Sequence, residues 1–173
     1  MWLARKITYS KWGAADGFAS DELPADHVGK ELRTKRNTLS FWSADGPERQ
    51  DVREAALALV LSLSRLDAID LTWVKKKDLE SDGIAFAATP GETKLTDRVD
   101  THFDAVTLDV RRLGTVAGHI ATSVREHTRV WKLTKQDVTK LVASAVDEGR
   151  VGLANLPKDW RPEVERYTDS GSA

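Results

Sequence analysis

The chain has 173 residues, 40% of them hydrophobic and 31% charged, enough to enclose one proper core and short of what two usually need. Its 26 basic and 27 acidic residues leave a formal net charge of −1, which removes any global attraction to nucleic acid or anionic membrane and leaves only local clusters to support either. With no cysteine, a disulfide framework, a thiolate metal site and a cysteine nucleophile are excluded.

The N-terminal run MWLARKITYSKW carries Arg5, Lys6 and Lys11 and lacks an apolar stretch of signal-peptide length. The longest apolar run, residues 55–64, falls well short of the roughly 20 residues a membrane span needs. A cytoplasmic protein is therefore expected. Residues 2–9 read as a first strand with Leu3, Ile7 and Tyr9 on one face; Arg5 interrupts the alternation and points to an edge position. Residues 13–25 read as a loop, residues 25–32 as a short helix, and residues 33–37 (RTKRN) as a basic turn.

The densest apolar signal follows. Thr38 to Ser43 (TLSFWS) is a β-rich run, Ala55 to Leu63 is nearly all Ala, Leu and Val, and Ile69, Leu71 and Trp73 alternate with Asp70 and Thr72. Pro47 suits the first turn of the intervening helix, and the helix is apolar nearly all round, so it needs cover on more than one side. Together residues 38–74 have the pattern of a strand, a crossover helix and a parallel strand.

After Lys75, Lys76 and Lys77 a turn is expected through Ser81, Asp82 and Gly83, then a short strand at Ile84, Phe86 and Ala88. Residues 89–102 lack a clear period and form the longest candidate loop, a kind of segment that is often functional. Val106, Leu108 and Val110 share one face of a further expected strand. Residues 111–126 have helical spacing, and a second helix starts at Thr134, where Thr134 and Asp137 form a variant capping box, and stops at Gly149. The stretch LTKQDVTKLVASAVDEGRVGL, residues 133–153, resembles a winged-helix segment, in which a capped helix ends at a glycine and runs into a short wing strand; the preceding Arg129 to Leu133 reads as extended, and no family contacts are carried over. Pro157 and Pro162 bracket one more short helical segment around Trp160, Val164 and Tyr167. The expected fold is a single α/β or α+β domain over residues 1–167, with a mixed sheet of four or five strands packed by two to four helices, and a frayed tail at 168–173.

Three sets of residues carry the candidate chemistry. Asp100, His102 and Asp104, if extended, project to one face, where carboxylate and imidazole groups at that spacing suit a divalent metal or acid and base work; the ordinary alternative is a hydrogen-bonded strand entrance. Arg33, Lys35 and Arg36, with Lys75, Lys76 and Lys77, are the clusters that folding could gather into a phosphate-binding patch for nucleic acid. Trp42, opposite in parity to Leu39 and Phe41, is expected to leave the face of the core helix and anchor a protein partner or symmetry mate unless a second layer covers it. His27, His119 and His127 have structural roles by default. Phosphate-loop, GxGxxG, HExxH and GxSxG signatures are absent from the sequence. The functional expectation is a non-catalytic protein-interaction, regulatory or accessory protein, possessing no cofactor and acting with a protein partner or as a homo-oligomer; the alternatives are nucleic-acid binding through the Lys/Arg clusters and metal-dependent hydrolysis at Asp100, His102 and Asp104.

Overall fold

A computed structural model describes residues 1–13, 23, 25–127 and 129–168, with the side chains of residues 13, 26 and 27 left out of the description. Most of the expected 13–25 loop, the His27 side chain and the 169–173 tail thus lie outside the described residues.

One sheet organises the chain. Its strands are β1 (Trp2–Ile7), β2 (Leu39–Ala44), β3 (Ile69–Lys75), β4 (Ala85–Ala88), β5 (His102–Val106) and β6 (Val130–Leu133), in the order β4-β5-β2-β1-β3-β6. Every neighbouring pair is antiparallel, and there are six strands where the sequence pattern suggested a mixed sheet of four or five. The additional strand is the extended Val130–Leu133 run. β2 and β3 do run parallel to each other, as the crossover pattern implied, but β1 lies between them and pairs antiparallel with both. β1 is therefore central rather than an edge.

Helices cover both faces. On one side lie α3 (Arg49–Val60), α6 (Lys135–Asp147) and α7 (Arg161–Thr168), packed with Ala4, Trp42, Ala44, Leu71 and Trp73 of the sheet. On the other lie α1 (Tyr9–Gly13), α2 (Ala25–Glu31), α4 (Lys76–Ser81) and α5 (Val110–Arg125), over Leu3, Leu39, Phe41, Val74 and Ala105. Alternation along β2 thus sends Trp42 toward α3 and Leu39 and Phe41 toward α5, the reverse of the expected assignment. α3 starts on a capping box between Glu48 and Asp51, and its all-round apolar surface is buried from Ala55 to Val60. Trp73 fixes the chain before it by donating Nε1–H to the Pro47 carbonyl at 2.7 Å.

Several boundaries differ from the sequence pattern for local reasons. β5 ends at Val106 because Thr107 takes a left-handed φ of 54°, and Asp109 caps α5 by accepting from Arg112 N at 2.8 Å; Leu108 and Val110 therefore do not continue the strand. Lys76 to Ser81 is helical rather than a turn. Residues 96–101 form a 3-10 turn within the long loop. The Thr134 and Asp137 capping box is present as the sequence indicated, while the segment after Gly149 leads to a 3-10 turn at Leu153–Asn155, where a winged-helix segment would place a strand. Among the described residues no helix is long and apolar enough to cross a membrane.

Candidate functional site

Two features of the sheet create an opening on the α3 side. The β1–β2 ladder stops at Ala4↔Trp42, whereas β1 pairs with β3 as far as Ile7↔Asp70. Below that point the two central strands part, and Arg5 enters the gap: its Nη1 donates to the Ser40 carbonyl at 2.7 Å and Nη2 to the Glu31 carbonyl at 3.4 Å. The residue that breaks the alternation of β1 thus satisfies backbone that the missing ladder would otherwise pair. Its Nε is buried without a partner, and burial pushes the guanidinium down to about 10, opposed by the Glu31 carboxylate. Burial also pushes the Glu31 carboxyl up, but hydrogen bonds from Lys11 and Thr8 outweigh it and hold the group below the usual carboxylate range.

The second feature is the 89–101 loop. It crosses from β4 to β5 over the end of α3, held by Thr93 Oγ1 donating to the Ala58 carbonyl at 2.8 Å and by fully buried Leu95. An ionic knot secures its far end. Arg150 bonds both Glu54 oxygens, at 3.1 and 2.6 Å, and also Asp97 at 2.9 Å, while Arg98 reaches Glu54 at 3.2 Å. Hydrogen bonds from Arg150 hold the Glu54 carboxyl low against the opposing effect of burial.

Between the loop, β2, β5 and the end of α3 is a cleft of about 610 Å³, lined by Lys35, Arg36, Ser40, Thr89, His102 and Asp104 among others. That size is in the usual range for small-molecule sites. A smaller cavity of about 360 Å³ on the Arg5 side shares Ser40, Trp42 and Ser62 with it. Strand register assembles the polar floor: Ser40 lies opposite Asp104 and Trp42 opposite His102, so their side chains are cross-strand neighbours. Thr89 continues β4, its backbone N–H donating to the His102 carbonyl at 3.2 Å. Ser40 Oγ donates to Asp104 Oδ1 at 2.8 Å, Thr89 Oγ1 donates to Asp104 Oδ2 at 2.9 Å, and Thr89 Oγ1 lies 2.8 Å from His102 Nδ1.

The cationic wall comes from the basic turn. Lys35 and Thr38 exchange backbone hydrogen bonds at 3.3 and 3.1 Å around Arg36 and Asn37, whose φ values are 55° and 59°. Two left-handed residues in succession are the signature of a tight type I′ turn. Asn tolerates that conformation; Arg at the first position costs about 1 kcal/mol or more. The turn is tied to the sheet end by Leu108 N, which donates to the Asn37 carbonyl at 3.0 Å.

The three sequence-derived sets fare differently. His102 and Asp104 come together through Thr89, but Asp100 lies exposed in the 3-10 turn and does not join them, because the segment before His102 is not extended. Among the described residues no group of three or more His, Asp or Glu side chains stands close enough to hold a metal ion. Lys35 and Arg36 line the cleft, whereas Arg33, exposed just beyond α2, does not. Lys75, Lys76 and Lys77 belong to the opposite end of the sheet, where Lys75 pairs with Trp2 and Trp2 with Ala44. The full length of β2, roughly 17–20 Å, separates that end from the basic turn, so the two basic clusters do not converge. Lys76 instead pairs with Glu80 and lies over Phe86. Trp42 is 5% exposed. α3 and the loop cover it, its ring meets His102 edge-on at 4.9 Å, and it is a core residue that closes the cleft floor rather than a surface anchor. His119 bonds Asp82 at 2.7 Å and His127 lies 3.4 Å from Tyr9 Oη, both away from the cleft.

Sequence reasoning missed Ser40, Thr89, Gly91 and Arg5. Gly91 packs its backbone so closely on the Trp42 ring that a Cβ there would fall 2.2 Å from Cη2. Ser40 shares the parity of Trp42 in TLSFWS, and Thr89 heads the Thr-Pro-Gly break in the loop; both signals become specific only once strand register is known. No protein-family model, no curated protein and no solved structure matches the chain.

Proposed function

We propose that this protein is a non-catalytic regulatory or accessory protein that binds a small anionic molecule in the cleft between β2, β5 and the 89–101 loop. The observation that carries the reading is the convergence of Lys35 and Arg36 with a hydrogen-bonded floor of Ser40, Thr89, His102 and Asp104 in one cleft of about 610 Å³. The Arg36 backbone strain supports it, since a costly conformation that places a cation at a cleft is typical of a ligand clamp. Asp104 and Glu92 line the same cleft, so its two cations and two carboxylates cancel in formal charge, and anion binding there rests on where the cations stand rather than on a net positive charge. Among the described residues the large exposed apolar side chains are Met1 and Val110, which gives a protein partner little apolar surface to cover.

Calorimetric titration with inorganic phosphate, sulfate and acetate at low ionic strength tests this reading. At least one anion should bind, and replacing Lys35 and Arg36 together by Ala should weaken it by about 10-fold or more, the equivalent of one lost charge-assisted hydrogen bond. Absence of binding at about 10 mM, or affinity indifferent to the double substitution, would overturn the reading. A DNA oligonucleotide serves as the nucleic-acid arm: tight binding whose salt dependence flattens on replacing Lys75, Lys76 and Lys77 would favour that alternative instead.

A further inference from the structure

The protons of the cleft floor can be assigned one by one. Asp104, as a carboxylate, only accepts, so the hydroxyls of Ser40 and Thr89 both donate to it. Thr89 has a single proton and has spent it. Its contact with His102 Nδ1 at 2.8 Å must therefore be Nδ1–H donating to Thr89 Oγ1, which makes the neutral imidazole the Nδ1–H tautomer and leaves Nε2 with a lone pair. Nε2 has no partner among the described residues and is not a buried orphan, and His102 lines the cleft, so that lone pair opens onto it. Edge-on contact with the Trp42 ring, itself held by Gly91, fixes the plane of the imidazole.

The cleft thus offers two kinds of group to one ligand: cations on the Lys35–Arg36 turn and, on the β5 floor, an imidazole acceptor backed by a carboxylate. A fully deprotonated oxyanion meets the first group favourably and the second unfavourably, because lone pair faces lone pair. An oxyanion that carries its own proton satisfies both. We infer that the cleft selects protonated oxyanions, taking hydrogen phosphate, whose P–OH donates to His102 Nε2, and rejecting sulfate, which has no proton to give. Thr89 is a positioning residue in this scheme. It sets the tautomer of His102. The inference rests on the anion-binding reading above and adds the chemistry of the ligand to it.

The test compares inorganic phosphate with sulfate by calorimetry at about pH 8, above the ordinary histidine range near 6.5, where phosphate keeps a proton and sulfate has none. Wild-type protein should prefer phosphate by about 10-fold or more, and Thr89→Val, which removes the hydroxyl at nearly constant volume, should lower that phosphate-to-sulfate ratio severalfold. Long-range ¹H–¹⁵N NMR of the imidazole supplies a ligand-free readout: His102 should be the Nδ1–H tautomer in the parent and lose that preference in Thr89→Val. Equal affinity for the two anions, or an Nε2–H tautomer in the parent, overturns the inference and leaves anion binding standing. If neither anion binds, both fall together.

Discussion

Replacing Trp42 by Ala distinguishes a buried cleft floor from a surface anchor, and the structure sets the size of the effect. The side chain is 5% exposed and packs with Ala4, Ala44 and the α3 core. An aromatic side chain buries about 150–250 Å², worth about 4–6 kcal/mol at roughly 25 cal/mol per Å²; allowing for what Ala retains, a loss of about 3–5 kcal/mol is expected, in line with other aromatic truncations in cores. At roughly 2–4 °C per kcal/mol for a chain of this size, the melting temperature should fall by roughly 6–20 °C. Urea denaturation and a thermal scan measure the loss, and sedimentation velocity run beside them should show an unchanged association state. A variant that unfolds within about 1 kcal/mol of the parent, or that differs from it only in sedimentation, would mean that the indole is not buried as described and that the cleft has no floor at β2.

Gly91→Ala should destabilise by about 1–3 kcal/mol, because its Cβ would meet Trp42 Cη2 at 2.2 Å and His102 Cβ at 2.9 Å; in a Trp42→Ala background part of that space is vacated, so a double-mutant cycle should give a coupling of about 0.5–3 kcal/mol, and strict additivity would refute the contact. The Arg150–Glu54 knot makes a pH prediction. Glu54 has a folded-state value below its unfolded one, chiefly through Arg150, so the unfolded chain takes up protons first, and the stabilisation, present above the ordinary carboxylate range, is lost as pH falls through the depressed value. Urea midpoints taken downward from neutral pH should show a shallower acid decline in Arg150→Met than in the parent, and identical declines would mean that the knot contributes nothing.

Much of the chain's helical structure was readable because local signals carried it. The Thr134 capping box, the spacing of Val116, Ile120 and Val124, and the apolar surface of Ala55 to Val60 each act within a few residues of sequence. Strand positions were also legible, but strand order was not, since alternation says which residues share a face and nothing about which strand lies beside it. Two errors follow from that limit. Arg5 was expected on an edge because a charge in a strand is ordinarily solvated, and it lies in the middle because the ladder beside it ends and its guanidinium takes over the Ser40 carbonyl. Trp42 reads as facing away from the core helix because alternation shows that its face differs from that of Leu39 and Phe41 and not which of the two the helix covers; α3 packs on the Trp42 face and α5 on the other, so each parity of β2 is buried.

The cleft shows the same dependence on register in its chemistry. Asp100, His102 and Asp104 were grouped by spacing of two, which holds only while the backbone is extended, and the 3-10 turn at Thr96–Thr101 removes Asp100 from the set. What replaces it comes from other strands: Ser40 faces Asp104 across the β2–β5 ladder, and Thr89 reaches both His102 and Asp104 from the end of β4. Three residues along one strand would have held a cation among carboxylates. One carboxylate shared by two hydroxyls, with an imidazole oriented through Thr89 and two cations on the Lys35–Arg36 turn, is instead an arrangement of alternating charge and proton, and such an arrangement favours a ligand that carries both a negative charge and a proton of its own.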